Sequence, residues 1–292
     1  MCSSVLKLWA LMLGVALSAV AHGQEEAADV GRTSLFLWSG QAADANVGRN
    51  DDGPLATDRP DFTEASTVVG MGRVQLEMGY TYVQEASAGT VERGHSYPET
   101  LLRVGMLAEW FEFRIAYNYA QQTSSDMPGL TMRGSEDIYL GAKFKLTEQE
   151  GVLPEMVLLP QMTVPTGSAD FSANKVLPGV NWLYGWDVND LIGIGGSTQF
   201  NRAVDDTSEF YTEWAQSFTV VLSLSDNLSQ YTEWFTFIPA GASDASVGVE
   251  HYLDGGFAYL LTDDIQVDIR AGVGLNARSD NFFSGAGISM RF

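Results

Sequence analysis

The sequence predicts an all-β fold, a transmembrane antiparallel β-barrel of about twelve strands, and three observations carry that prediction. The stretch "EWFEFRIAYNYAQ", Glu109 to Gln121, alternates apolar and polar residues, and similar segments recur about every ten to fifteen residues from Gly72 onward. The connections between those segments alternate long and short, as they do in barrels with short turns at one mouth and longer loops at the other. Finally, the chain closes on an alternating stretch, "FSGAGISMRF", that ends in Phe292.

In chain order, residues 1–23 have one charge, Lys7, an apolar run from Leu8 to Val20, and small residues at Ala19, Ala21 and Gly23. That run is too short for a membrane-spanning helix and reads as a cleaved secretory signal. Residues 24–71 read as a periplasmic leader, rich in Ala, Asp, Gly and Asn as far as Gly53. Cys2, the single cysteine, leaves with the signal, so no disulfide, thiolate nucleophile or cysteine metal site is expected in the mature chain. The formal charge of −21 argues against nucleic acid, whose phosphates are held by Lys and Arg.

Residues 72–292 form the predicted barrel. Its first segment, "RVQLEMGYTYVQ", sets Val74, Leu76, Met78, Tyr80 and Tyr82 against Gln75, Glu77, Gly79 and Thr81. "ETLLRVGML", the "EWFEF" stretch and "SEDIYLGAKFKL" follow. The later segments run from Glu155 to Val164, Lys175 to Asp187, Leu191 to Asn201, Phe210 to Ser223, Leu228 to Ile238, Val247 to Leu261, Ile265 to Asn276 and Phe283 to Phe292. An even number brings both ends of the barrel to one side. Short connections such as "LAEW", "VND", "SDN" and "TDD" alternate with longer ones such as "EASAGTVERGHSYP" and "QTSSDMPGLTMRG"; "TEQEGVLP" is longer than its place requires. A soluble sandwich gives no reason for such sorting.

The apolar face carries Trp110, Trp182, Tyr184, Trp186, Trp214 and Tyr259, several near strand ends, where aromatic rings settle at headgroup level. The opposite face collects Glu77, Arg103, Glu112, Arg114, Asp137, Lys143, Glu213, Glu233, Asp268 and Arg270. Burying so many charges in a dry core would cost several kcal/mol each unless paired, so they are expected to line a pore. Two features strain the pattern: Pro160 and Pro178 fall inside strands, where bulges or local unpairing are expected, and Tyr231, Phe235 and Phe237 share parity with Glu233, so that the phase is wrong or the lumen is partly aromatic there.

Several stretches resemble the family of outer-membrane transporters labelled "MetA-pathway of phenol degradation": "TDRPDFTEA" from Thr57 to Ala65, "RVQLEMGYTY", "GSEDIYLGAKFKL", "TVPTGS" from Thr163 to Ser168, and the last strand ending in Phe292. The resemblance implies a barrel in the bacterial outer membrane, an assembly signal at Phe292 read by the barrel assembly machinery, and passage of small solutes, among them apolar or aromatic compounds. Within "DRPDFTE", residues Asp58, Arg59, Asp61, Phe62 and Glu64 either fold into the mouth as a plug or cap the periplasmic end; the cap is the simpler reading.

Expected partners are thus outer-membrane lipids, the assembly machinery and a small-molecule solute, with no cofactor and no metal. Alternatives are a non-conducting structural barrel and an outer-membrane lipid hydrolase. The hydrolase would need His95 or His251 beside a serine, and no G-x-S-x-G, H-E-x-x-H, phosphate loop or dinucleotide fingerprint is present. Glu213 and Glu233, on neighbouring strands, are candidates to face each other, with arginines as partners in a ladder of salt bridges.

Overall fold

The computed structural model describes residues 53–87, 89–205, 208–244 and 247–292. The expected signal peptide and the leader as far as residue 52 lie outside the described residues. Among the described residues thirteen strands follow one another: β1 (Val74–Ser87), β2 (Thr90–Gly105), β3 (Phe111–Ser124), β4 (Thr131–Ser135), β5 (Ile138–Thr147), β6 (Glu155–Val164), β7 (Leu177–Asn189), β8 (Ile192–Val204), β9 (Phe210–Ser223), β10 (Leu228–Ala240), β11 (Glu250–Thr262), β12 (Ile265–Gly274) and β13 (Phe282–Arg291). Every pairing is antiparallel, and β1 pairs with both β2 and β13, which closes the sheet into a barrel with no free edge.

Thirteen strands fill twelve positions in the wall. β4 and β5 both pair with β3, Thr131–Ser135 opposite Tyr119–Thr123 and Tyr139–Phe144 opposite Phe111–Ala116. They are two halves of one wall strand, broken at Glu136 and Asp137. There the Asp137 carboxylate accepts the amides of Thr166, Gly167 and Ala173 at 2.9–3.0 Å, so a residue read as pore-lining shapes a loop instead.

The first two long connections are shorter than the sequence suggests. β1 and β2 stay paired as far as Ser87 opposite Thr90, and β3 and β4 continue to a turn at 125–130. Strand that projects past the bilayer meets water on both faces, so it carries no apolar–polar alternation by which to be recognised. The prolines behave largely as expected. The β5–β6 ladder lapses where Ala142 and Lys143 pass Leu159 and Pro160, and Pro178 is the second residue of β7, before the β7–β8 ladder begins at Gly179.

Burial is inverted relative to a soluble protein. Arg103, Arg114, Lys143, Glu77 and Glu112 are wholly buried, whereas Trp182, Phe200, Phe218, Phe257, Tyr259 and Ile269 are 44–58% exposed on the outer face. Along β7 the rings of Trp182, Tyr184 and Trp186 run edge to face, 5.3 and 6.2 Å apart, and Phe200 stacks on Trp214 at 6.3 Å. An apolar band encircling a barrel is far larger than the patches water tolerates; it is the surface of a transmembrane barrel.

Candidate functional site

The polar interior is organised by the segment just before β1. At the mouth where the barrel begins and ends, the Leu55 amide donates to the Asp263 carbonyl (2.8 Å), Arg291 donates to the Gly53 carbonyl (2.8 Å), and Gln266 donates to the Thr57 hydroxyl (2.8 Å). The chain then climbs inside the wall, reverses at Pro60–Phe62 and descends to Val69 and Met71, whose amides donate to Glu112 and Glu109 at 2.9 and 3.0 Å. The "DRPDFTE" motif is therefore a luminal loop and not a cap on the rim. It enters because its own charges complement the inner faces of β1–β5.

Asp58 is the centre of that complementarity. Its carboxylate faces Arg114 at 2.5 Å, Lys143 at 2.8 Å and Arg103 at 3.4 Å, and accepts the Ala65 amide at 3.0 Å, which ties the two limbs of the loop together. Arg103 also reaches Glu112 (2.8 Å) and Glu77 (3.0 Å), Arg114 reaches Glu64 (2.8 Å), and Glu77 accepts the Asp58 amide through both oxygens at 3.1 Å. Burial raises the Asp58 carboxyl, but Arg103, Arg114 and Lys143 outweigh it and hold the group well below the usual carboxylate range. Three cations thus meet four carboxylates, two of them on the loop, and every cation has at least one carboxylate within reach.

A second group fixes the ascending limb. Arg59 pairs with Glu99 (2.8 Å) and Asp268 (3.5 Å), and Arg270 donates to the Pro60 carbonyl (3.0 Å) and the Thr81 hydroxyl (2.9 Å). The Arg59 guanidinium lies flat over Gly79 and Gly287, cross-strand partners on β1 and β13; a Cβ at either position would stand 2.3 Å from it. Gly79→Ala is expected to displace Arg59 and to lower stability by about 1–3 kcal/mol, the usual cost of overpacking. In an Arg59→Met background the same change should be nearly neutral, and a thermal-unfolding cycle on the four proteins measures that coupling.

At the tip the chemistry turns aromatic. The Phe62 ring stacks on Phe235 at 4.6 Å and meets Phe237 edge-on at 5.3 Å; Phe235 stacks on Tyr252 at 4.8 Å, and Phe283 lies 6.1 Å from Tyr252. The phase of β10 read from sequence is correct, and the lumen is partly aromatic at this level. Beneath the rings Glu233 accepts the Phe62 amide (2.5 Å), the Thr63 amide (2.8 Å) and the Thr63 hydroxyl. Its cross-strand neighbour is Asp254, not Glu213, which lies opposite Pro239 nearer the far mouth. The expected Glu213–Glu233 pair and its arginine ladder do not form, because six residues along tilted strands separate their heights. Asp61 stands beside Glu233; burial, then that neighbouring charge, push its carboxyl up.

Sequence reasoning missed Glu99, Asp254, Tyr252 and Phe283. Tyr252 and Phe283 lie on the inward parity of their strands, opposite Phe235 and Val83, but only the strand register brings their rings together. The two histidines among the described residues face outward: His95 shares a hydrogen bond of 2.7 Å with Tyr80, and His251 stacks on Trp234 at 6.1 Å.

The loop reaches across to β6 and β9, where Ser66 donates to Glu155 at 3.2 Å and Thr63 shares a hydrogen bond of 2.5 Å with Ser217, but it does not fill the lumen. Beside these contacts lies a cavity of about 2190 Å³, lined among others by Gly185, Gly193, Gly195 and Thr219, that opens at the mouth bearing the barrel's two ends. Its upper reach touches Thr63 and Tyr231, just below the aromatic rings.

A family model described as "Putative MetA-pathway of phenol degradation" matches residues 57–292, from the luminal loop to the last strand. The chain belongs to this family. In three dimensions it is similar to the COG4313 outer membrane channel from Pseudomonas putida F1, with a TM-score of 0.63 at 13% identity over 80% of this chain and 99% of that one. Fainter likenesses are to the NanC porin (TM-score 0.45, 12% identity, 74% of this chain and 98% of that) and the translocator domain of the autotransporter NalP from Neisseria meningitidis (0.49, 12%, 75% and 88%). No curated protein sequence matches the chain.

Proposed function

We propose that this barrel is a passive outer-membrane channel for small solutes, with an apolar or aromatic body favoured, and that the luminal loop is its plug. The observation that carries this reading is the cavity of about 2190 Å³, open to one mouth and ending at Thr63 and Tyr231, beneath the Phe62–Phe235–Tyr252 rings. The short turns gathered at that mouth, together with the start of β1 and the end of β13, support a periplasmic side for it. A wide vestibule closed by stacked rings lets a flat apolar solute replace one ring contact with another, whereas a hydrated ion gains nothing there. The fold's likeness to a solved outer-membrane channel and the family's phenol-degradation label support the reading without naming the solute. The test is conductance in planar bilayers with phenol-sized aromatics added as competitors: block by the aromatic and not by an aliphatic polyol of equal size is expected. No channel events from the intact chain or from one lacking residues 24–70 would leave a structural, non-conducting barrel.

Ion preference is set on the far side of the rings. Glu85, Glu213, Glu250 and Asp280 gather there, and none has an ion-pair partner among the described residues. Burial, then Glu85 and Glu250, push Asp280, which lies in the loop after β12, up to about 6. The channel is expected to prefer cations, and more strongly as pH rises through about 6 and Asp280 ionises. Reversal potentials in a KCl gradient measure this; Glu213→Gln with Glu250→Gln should shift them toward the unselective value.

A further inference from the structure

Lys175, Arg202 and Phe210 converge on the outer face of the barrel at its far rim. The Lys175 ammonium lies 4.2 Å from the centre of the Phe210 ring and the Arg202 guanidinium 5.1 Å from it, so one exposed ring carries two cations. Two positive groups held at one ring repel unless an anion joins them. None does so among the described residues: neither side chain has an ion-pair partner, Arg202 donates only to the Thr212 hydroxyl (3.1 Å), and Lys175 donates only to the Ser208 carbonyl. The nearby Asp205 is turned inward, where its carboxylate accepts the Glu209 amide at 3.0 Å. Most of the guanidinium's five donors thus point outward from the barrel, open to a ligand.

The height of the trio identifies its ligand. Thr212 lies opposite Arg202, and Phe200 opposite Trp214, whose rings stack one step below. From Leu222 at the near end of β9 to Phe210 the strand runs twelve residues. At about 2.4–2.8 Å of height per residue for a strand tilted by roughly 35–45°, that is about 30 Å, just above an apolar band about 25 Å tall. The Phe200–Trp214 pair marks the upper aromatic girdle, and the cations stand immediately over it, facing out, at the level of lipid headgroups.

We infer that Lys175, Arg202 and Phe210 form a binding site for a phosphorylated glycolipid headgroup in the outer leaflet. The phosphate bridges ammonium and guanidinium, and the acyl chains descend along Phe200 and Trp214. A fork of guanidinium donors beside a point charge suits a phosphate better than a carboxylate, and the ring below keeps both cations from folding back into water. In a chain of net charge −21, this patch gives a negatively charged leaflet a place to adhere. The inference rests on the outer-membrane reading above, but not on what the channel passes.

The test uses the full barrel in detergent, titrated with bisphosphorylated lipid A while the quenching of Trp214 and its neighbours is followed. The Lys175→Ala/Arg202→Ala variant is expected to bind at least about tenfold more weakly, the loss of two charge-assisted hydrogen bonds. Enzymatically dephosphorylated lipid A should bind both proteins at the variant's level, and millimolar inorganic phosphate should not displace the lipid. Equal binding by variant and parent, equal binding of the dephosphorylated lipid, or displacement by free phosphate would each overturn the site. Conductance and the heat-dependent gel shift of the variant should match the parent's. The single Arg202→Gln change, which retains a donor toward Thr212, should show a smaller loss should the double variant fold poorly. A barrel that stayed monodisperse without detergent would instead remove the membrane reading itself.

Discussion

Replacing Asp58 with alanine is expected to unseat the plug and to lower unfolding stability by about 3–5 kcal/mol, the cost of removing one partner from a buried ion cluster. Arg103 would retain Glu77 and Glu112, and Arg114 would retain Glu64, but Lys143 would keep only the carbonyls of Ala65 and Thr67, at 2.7 and 3.4 Å. A buried ammonium without a carboxylate is the most costly of the three outcomes. The loop would also lose the Asp58–Ala65 bond that joins its limbs. Conductance of the variant should rise and fluctuate, and its heat-dependent gel shift should occur at a lower temperature. Adding Lys143→Met to Asp58→Ala should restore part of the stability while conductance stays high, because removing both charges costs less than stranding one. A variant as stable and as closed as the parent would show that the cluster does not hold the loop.

Phe62→Ala separates the gate from the latch. The truncation removes a stack at 4.6 Å and an edge contact at 5.3 Å, worth together about 1–3 kcal/mol, while Asp58 and its three cations are untouched. The loop should therefore remain in place with an opening where the ring was. Single-channel conductance is expected to rise at least about twofold, since the narrowest point sets the current, and block by added aromatics should weaken as their stacking partner disappears. Unchanged conductance together with unchanged aromatic block would place the constriction elsewhere.

The two variants also separate two kinds of legibility. The barrel could be read because lipid and water divide a strand at every second residue: Glu112 and Arg114 inside, Phe111, Phe113 and Ile115 outside. Most of the interior charges could be read for the same reason, and Glu77, Arg103, Glu112, Arg114 and Lys143 do meet in one cluster. Asp137 could not, because parity says which face a residue leaves by and not whether a loop folds over to receive it. Nor could the Glu213–Glu233 pairing, since neighbouring strands fix height only through their register.

The alternation of oily and charged residues, together with the spacing of the connections, by itself determined a transmembrane barrel of twelve positions, because a bilayer imposes its two-faced demand on each strand separately. Only the tertiary structure decided that "DRPDFTE" lies inside the lumen, that Phe62 completes a ring cluster with Phe235, Tyr252 and Phe283, and that Lys175 and Arg202 share one ring on the outer rim. Those arrangements join residues as far as 221 positions apart, through strand register and the closure of the sheet, and no local periodicity encodes either.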